Sequence, residues 1–150
     1  TVCAIYGDLD YVSQNDRSRV VRRWKSKPFV AGALALGWMP PHPTLYMRRE
    51  WYDKIGGFDT NYRIAADFLS ILQLFGDDAF KTTYVPEVLV RMRLGGVSNR
   101  SVKTIFRKSK EDWRALRESG FHVFSAARAL GWKNLSKLAQ FDKSITAQKC

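Results

Sequence analysis

The chain has 150 residues, 45% of them hydrophobic and 13% aromatic, which is enough for one domain with a packed core and unlike a disordered composition. A formal net charge of +11 and an isoelectric point near 10.0 point to anionic partners: nucleic acid, anionic lipid or phosphorylated substrates. Cys3 and Cys150 stand at opposite ends with no metal-ligand spacing, so there is no disulfide framework to read, and a reduced, cytosolic compartment is expected.

No signal peptide and no bilayer-spanning run is legible; the longest apolar stretch, 29–41, is short and broken by Gly and Pro. The chain opens directly on a strand-like run without an initiator Met, so Thr1 is expected to be a cut through a longer protein. Residues 2–12 alternate well enough for a strand interrupted by Gly7 and Asp8. A polar turn at 13–18 and a basic stretch at 19–27 containing Trp24 follow. Residues 28–43 are Gly- and Pro-rich and read as a loop with one helical turn at 31–36. Residues 44–47 read as a short buried strand, and 48–55 as a short helix with Glu50 and Lys54 at i,i+4. Gly56-Gly57-Phe58-Asp59 stops it, because paired glycines permit a left-handed turn.

A second helix is expected over 64–75, with Ile64, Phe68, Ile71, Leu72 and Phe75 on one stripe and Asp67 beside it in the first turn. Strict alternation over 88–94 predicts a strand that turns Val88, Val90 and Met92 one way and Leu89, Arg91 and Arg93 the other. Gly95-Gly96 end it. Val102, Ile105, Phe106, Trp113 and Leu116 mark an amphipathic helix with Ser101 as N-cap and Gly120 as its stop. A last helix is expected over about 124–139. Residues 101–150 hold 11 of the 25 Lys/Arg but 4 of the 14 Asp/Glu, so the tail is the more basic part.

Read from residue type alone, several side chains have two meanings. Asp67 in a helix's first turn either complements the helix dipole on a solvated surface or serves as a rigidly held base. His42, in Pro40-Pro41-His42-Pro43-Thr44, has a backbone of little freedom. Its imidazole either binds a ligand or hydrogen-bonds the backbone at a strand start. Arg91 and Arg93, two residues apart on one strand face, can grip a diphosphate or a phosphorylated acceptor, and backbone amides around Gly95, Gly96, Ser98 and Asn99 can also meet an anion. The other reading is a solvated edge strand. Asp8-Leu9-Asp10 has oxygen ligands suited to Mg or Mn.

In order and spacing, these blocks resemble the acceptor-side half of a family 2 glycosyltransferase, over roughly residues 6–99. The pattern is Gly56-Gly57-Phe58-Asp59 followed by Ala65-Ala66-Asp67, and it is most similar to enzymes of bacterial surface polysaccharides. The resemblance implies an α/β, GT-A architecture, with 1–100 as the acceptor-side half and 101–150 as a basic helical extension. It implies inverting transfer of a sugar from a nucleotide-sugar donor to a saccharide or lipid-linked hydroxyl. Asp67 would be the catalytic base, and His42, Asp59, Arg91 and Arg93 substrate-binding residues. A divalent metal, Mg or Mn, would be held by acids in a missing N-terminal half. Asp8 and Asp10 match the next strand along and are expected to make turn contacts rather than to hold the metal.

In the basic tail, Lys103, Arg107, Lys108, Lys110, Arg114 and Arg117 share helices with Phe106 and Trp113. Such a stretch can lie on an anionic membrane, and a cytoplasmic protein peripheral to the inner leaflet would result; an ordinary helix with solvated lysines is the other reading. Two rival functions stand beside the transferase. A nucleic-acid-binding module is suggested by the charge and five tryptophans, but no helix-turn-helix, zinc or RNA-stacking signature accompanies it, so no specific nucleic acid is expected. An inactive folded remnant is the other, since half a sheet leaves an open edge.

Overall fold

A computed structural model describes residues 1–30, 32–94 and 102–135, with side chains over 1–30, 32–94 and 107–132. The expected loop at Gly95–Asn99 and the Ser101 cap lie outside the described residues, as do the side chains of Lys103 and Phe106, the end of the last expected helix, and Cys150.

The fold is mixed α/β and is built on one strand. β1 (Ala4–Val12) has residues 6–10 all buried, so it forms the middle of the sheet rather than an amphipathic edge. One side of β1 pairs in parallel with β4 (Thr82–Arg93). The other side is shared by two antiparallel partners: β3 (Tyr46–Met47) at the start of β1 and β2 (Val20–Trp24) at its end. Between them lies Gly7, where no strand pairs. The Thr44 hydroxyl fills that gap. It accepts the Gly7 N–H at 3.2 Å and lies 2.9 Å from the Gly7 carbonyl and 2.8 Å from that of Pro41, to one of which it donates.

Three expectations change here. The buried strand expected over 44–47 is only Tyr46–Met47, with Tyr46 exposed and Thr44 in a 3-10 turn. The basic stretch after the turn is a strand, β2, folded back on β1 as a hairpin. β4 is longer than the alternation showed and does not alternate strictly: the register against β1 slips between Tyr6 and Asp8 and again between Asp8 and Leu9. Pro86 lies in the first slip, where its missing N–H breaks no ladder bond. The slack brings Leu89 and the Glu87 carbonyl against Gly7, within 2.6 and 2.8 Å of where a Cβ would stand. From Val90 onward the expected alternation holds, with Asp10 opposite Arg91 and Val12 opposite Arg93.

The helices among the described residues are α1 (Arg49–Lys54), α2 (Ala66–Phe75), α3 (Val102–Glu118) and α4 (Val123–Leu135), with 3-10 turns at Ala33–Leu36 and His42–Thr44. Gly56 and Gly57 take φ of 74° and 75° after α1, as the paired glycines predict. The α2 stripe is buried through Phe68, Ile71, Leu72 and Phe75, with Leu69 and Leu74 added. These side chains meet an aromatic cluster around Tyr6: Trp38, Phe75 and Tyr84 lie 5.8, 6.0 and 5.7 Å from its ring, and Phe29, Phe80 and Trp51 extend the chain of contacts. Ala115, Leu116, Ala126 and Ala129 of α3 and α4 belong to the same core. Among the described residues, no helix is long and apolar enough to cross a membrane.

α4 rests on the turn at Ala33–Leu36, and Gly37, just after that turn, lies against Ala129. That glycine has φ of 71°, and a Cβ there would stand 2.1 Å from the Ala129 carbonyl. Gly37→Ala should therefore push α4 off its seat and cost about 2–4 kcal/mol. Urea melts would show this as a lower midpoint, and an unchanged midpoint would contradict the packing.

Candidate functional site

Asp67 sits at the second position of α2, half-buried, and its Oδ1 accepts the Phe68 N–H at 2.8 Å. The helix has no capping side chain of its own, because Ala65 occupies the N-cap. The cap comes from α3: Glu111 Oε2 accepts the N–H groups of Ile64 at 2.8 Å and Ala65 at 3.0 Å. A carboxylate from a distant helix thus fixes the turn that carries Asp67.

α2 brings Asp67 toward the carboxyl end of β1, close enough to Tyr11 for its charge to oppose ionisation of the phenol. Burial is the larger force raising the Tyr11 pKa, and Arg22 acts against it. Tyr11 and Arg22 are ladder partners, with the guanidinium 4.6 Å from the phenol ring centre and 5.8 Å from that of Trp24. Burial lowers the Arg22 pKa. Tyr11, Arg22 and Trp24 therefore form one group at a strand end, where open α/β sheets bind ligands, and the charge of Asp67 is felt there.

Arg91 and Arg93 reach the same end on β4. Both are exposed and without an ion-pair partner among the described residues. Their ladder partners are Asp10 and Val12, so by alternation they stand on the other face of the sheet from Tyr11.

Asp8 and Asp10 are 5% and 1% exposed and both are engaged. Asp8 Oδ1 accepts the Ser26 N–H and the Tyr84 hydroxyl, each at 2.8 Å. Asp10 takes Arg23 in a two-point pair at 2.8 and 3.1 Å. Both are turned to partners within the protein, and among the described residues no group of three or more His, Cys, Asp or Glu could hold a metal.

His42 stands elsewhere, on the 3-10 turn that Thr44 fastens to Gly7. Its ring meets Phe58 edge-on at 5.5 Å, and Phe58 meets Tyr52 at 5.5 Å, so the Pro-rich segment and the Gly-Gly-Phe-Asp turn touch. The imidazole has no hydrogen bond among the described residues, and the backbone contact considered for it is not formed. Asp59 turns away from both groups. Its Oδ1 accepts the Asn61 N–H and side-chain amide, each at 2.8 Å, and it lines an open cleft of about 320 Å³ with Gln73, Gly76 and Glu118. There Glu118 accepts the Tyr62 hydroxyl at 2.6 Å and pairs with Arg114. These hydrogen bonds hold the Glu118 carboxyl below its ordinary pKa.

Tyr11, Arg22, Trp24 and Glu111 were not singled out from the sequence. The first three were legible in principle, since a polar turn between two alternating runs is a hairpin signal. Glu111 carried no local signal. Comparison with known proteins gives no match: no family model fits the chain, and no curated protein or solved structure matches it.

Glu111→Ala should cost about 1–2 kcal/mol, as loss of a helix cap does, while Glu111→Gln should cost less because it keeps an acceptor oxygen. Amide exchange at Ile64 and Ala65 would localise the loss. A second expectation concerns alkali. Burial, and for Tyr84 also Asp8, raises the Tyr6 and Tyr84 pKa values from 10.0 to about 12. A raised folded-state pKa means stability that is full below pH 10 and lost as pH climbs through about 12. Denaturant melts between these limits should show a falling midpoint, with a smaller fall in Tyr84→Phe.

Proposed function

We propose that this chain is the acceptor-side part of an inverting glycosyltransferase of family 2, with a GT-A fold. The observation that carries the reading is Asp67, held half-buried on the first turn of α2, a turn that Glu111 of α3 fastens. The motif order already described supports it, as does the parallel pairing of β1 with β4.

In this reading Asp67 accepts the proton of an acceptor hydroxyl while that oxygen attacks the anomeric carbon. The bond from that carbon to the donor phosphate oxygen breaks in the same step, and the nucleoside diphosphate leaves. Tyr11, Arg22 and Trp24 line the acceptor side, with Trp24 offering a flat face to a sugar ring. Arg91 and Arg93 stand at the same strand end but on the other face of the sheet, so this reading gives them no part in the step at Asp67. Asp8 and Asp10 do not fit as ligands for the divalent cation that the family resemblance implies, because Tyr84, Ser26 and Arg23 already occupy them.

The nucleotide-binding half would join the sheet at β3. Its outer edge has no strand partner among the described residues, and its ladder pair Ile5–Tyr46 is 40% and 56% exposed. Asp67→Asn, made in the protein carrying that half, should lower turnover on the order of 10³-fold and leave donor affinity unchanged. Wild-type turnover by that variant in a single-turnover assay would refute the assignment.

A further inference from the structure

The sequence directs attention to α3 as a surface for membranes, but the structure uses much of that helix internally. Trp113 is partly buried against the core, Lys108 pairs with Asp112 at 2.7 Å, and Arg114 pairs with Glu118 and lies 4.8 Å from the Tyr62 ring centre. α4 is arranged the opposite way from an ordinary surface helix. Its fully buried residues are the small Ala126 and Ala129, and Leu130 packs beside them, whereas three other large ones face outward: Phe124 is 90% exposed, Trp132 59% and Val123 51%. Phe124, Arg128 and Trp132 follow at i, i+4 and i+8, so they lie along one face. Exposed Ala127 and Gly131 between them add no bulk. Arg128 is exposed and has no ion-pair partner among the described residues.

We infer that the outer face of α4 docks on an anionic lipid surface, with Phe124 and Trp132 entering the headgroup boundary and Arg128 among the phosphates. Two features select this occupant. Aromatic side chains flanking a cation on one helical face suit a boundary that is apolar below and anionic above. The chain's charge of +11, concentrated after residue 100, supplies the long-range attraction. The inference does not depend on glycosyl transfer.

The test is flotation of the 150-residue chain with phosphatidylcholine vesicles containing or lacking phosphatidylglycerol. Binding is expected only to the anionic vesicles and should weaken with salt. The double variant Phe124→Ser/Trp132→Ser should bind at least about tenfold more weakly, and Arg128→Glu should also lose affinity. Both exposed positions should leave the circular dichroism spectrum unchanged, and Arg128→Glu keeps the test decisive if the double variant misfolds. Absence of vesicle binding, unaltered binding by these variants, or retention by RNA with none by vesicles would overturn the inference. So would shielding of Trp132 from iodide without lipid, read as the difference from Trp132→Phe, since another part of the chain would then cover the face.

Discussion

The arrangement of this protein hangs on the hydroxyl of Thr44 against the backbone of Gly7. A buried strand must satisfy every N–H and C=O along both sides, and β1 has one side on which β2 and β3 leave a residue unpaired. Thr44 closes that gap without a third strand. Because the Thr44 backbone N–H donates to the Pro41 carbonyl at 2.8 Å, the Pro-rich turn is tied to the sheet, and His42 is presented beside Phe58. On the opposite side of β1, the slipped register of β4 pushes Leu89 against the same glycine. One residue without a side chain thus accommodates close approaches from two directions.

The catalytic candidate is held by parts far apart in sequence. α2 contributes Asp67, β1 contributes Tyr11, β2 contributes Arg22 and Trp24, and α3 contributes the carboxylate that caps α2. Residues after 100, which read as an extension, also place Ala115, Leu116, Ala126 and Ala129 in the core around Tyr6 and Phe75. The geometry at the end of β1 therefore depends on the C-terminal helices being docked. His42 and Asp59, grouped with Asp67 by motif, lie in different settings, one against Phe58 and the other beside Glu118.

Periodicity made α2 and the end of β4 legible, since a helix stripe and a strand alternation are properties of neighbouring residues. The paired glycines after α1 were legible for the same reason. Glu111 was not, because capping across 46 residues leaves no mark near Ala65. Nor were the slips in β4, where Pro86 signals trouble but not the direction in which the register moves. Asp8 and Asp10 show the limit of motif reading most clearly. They were expected to make turn contacts rather than to hold a metal, and instead they bind Tyr84, Ser26 and Arg23 inside the sheet. A short pattern cannot say whether partners arrive from later in the chain.

The parallel pairing of β1 with β4 also sets an order of events on the ribosome. Tyr84, which closes over Asp8, is made 76 residues after it. At about 5–20 residues per second, β1 waits on the order of 4–15 s for its partner along its whole length. An apolar strand exposed for that time would invite pairing with a neighbouring nascent chain. Two negative charges within it oppose such pairing until Arg23, Ser26 and Tyr84 have emerged to neutralise or bind them. The acids that lock the finished sheet thus also guard the unfinished one.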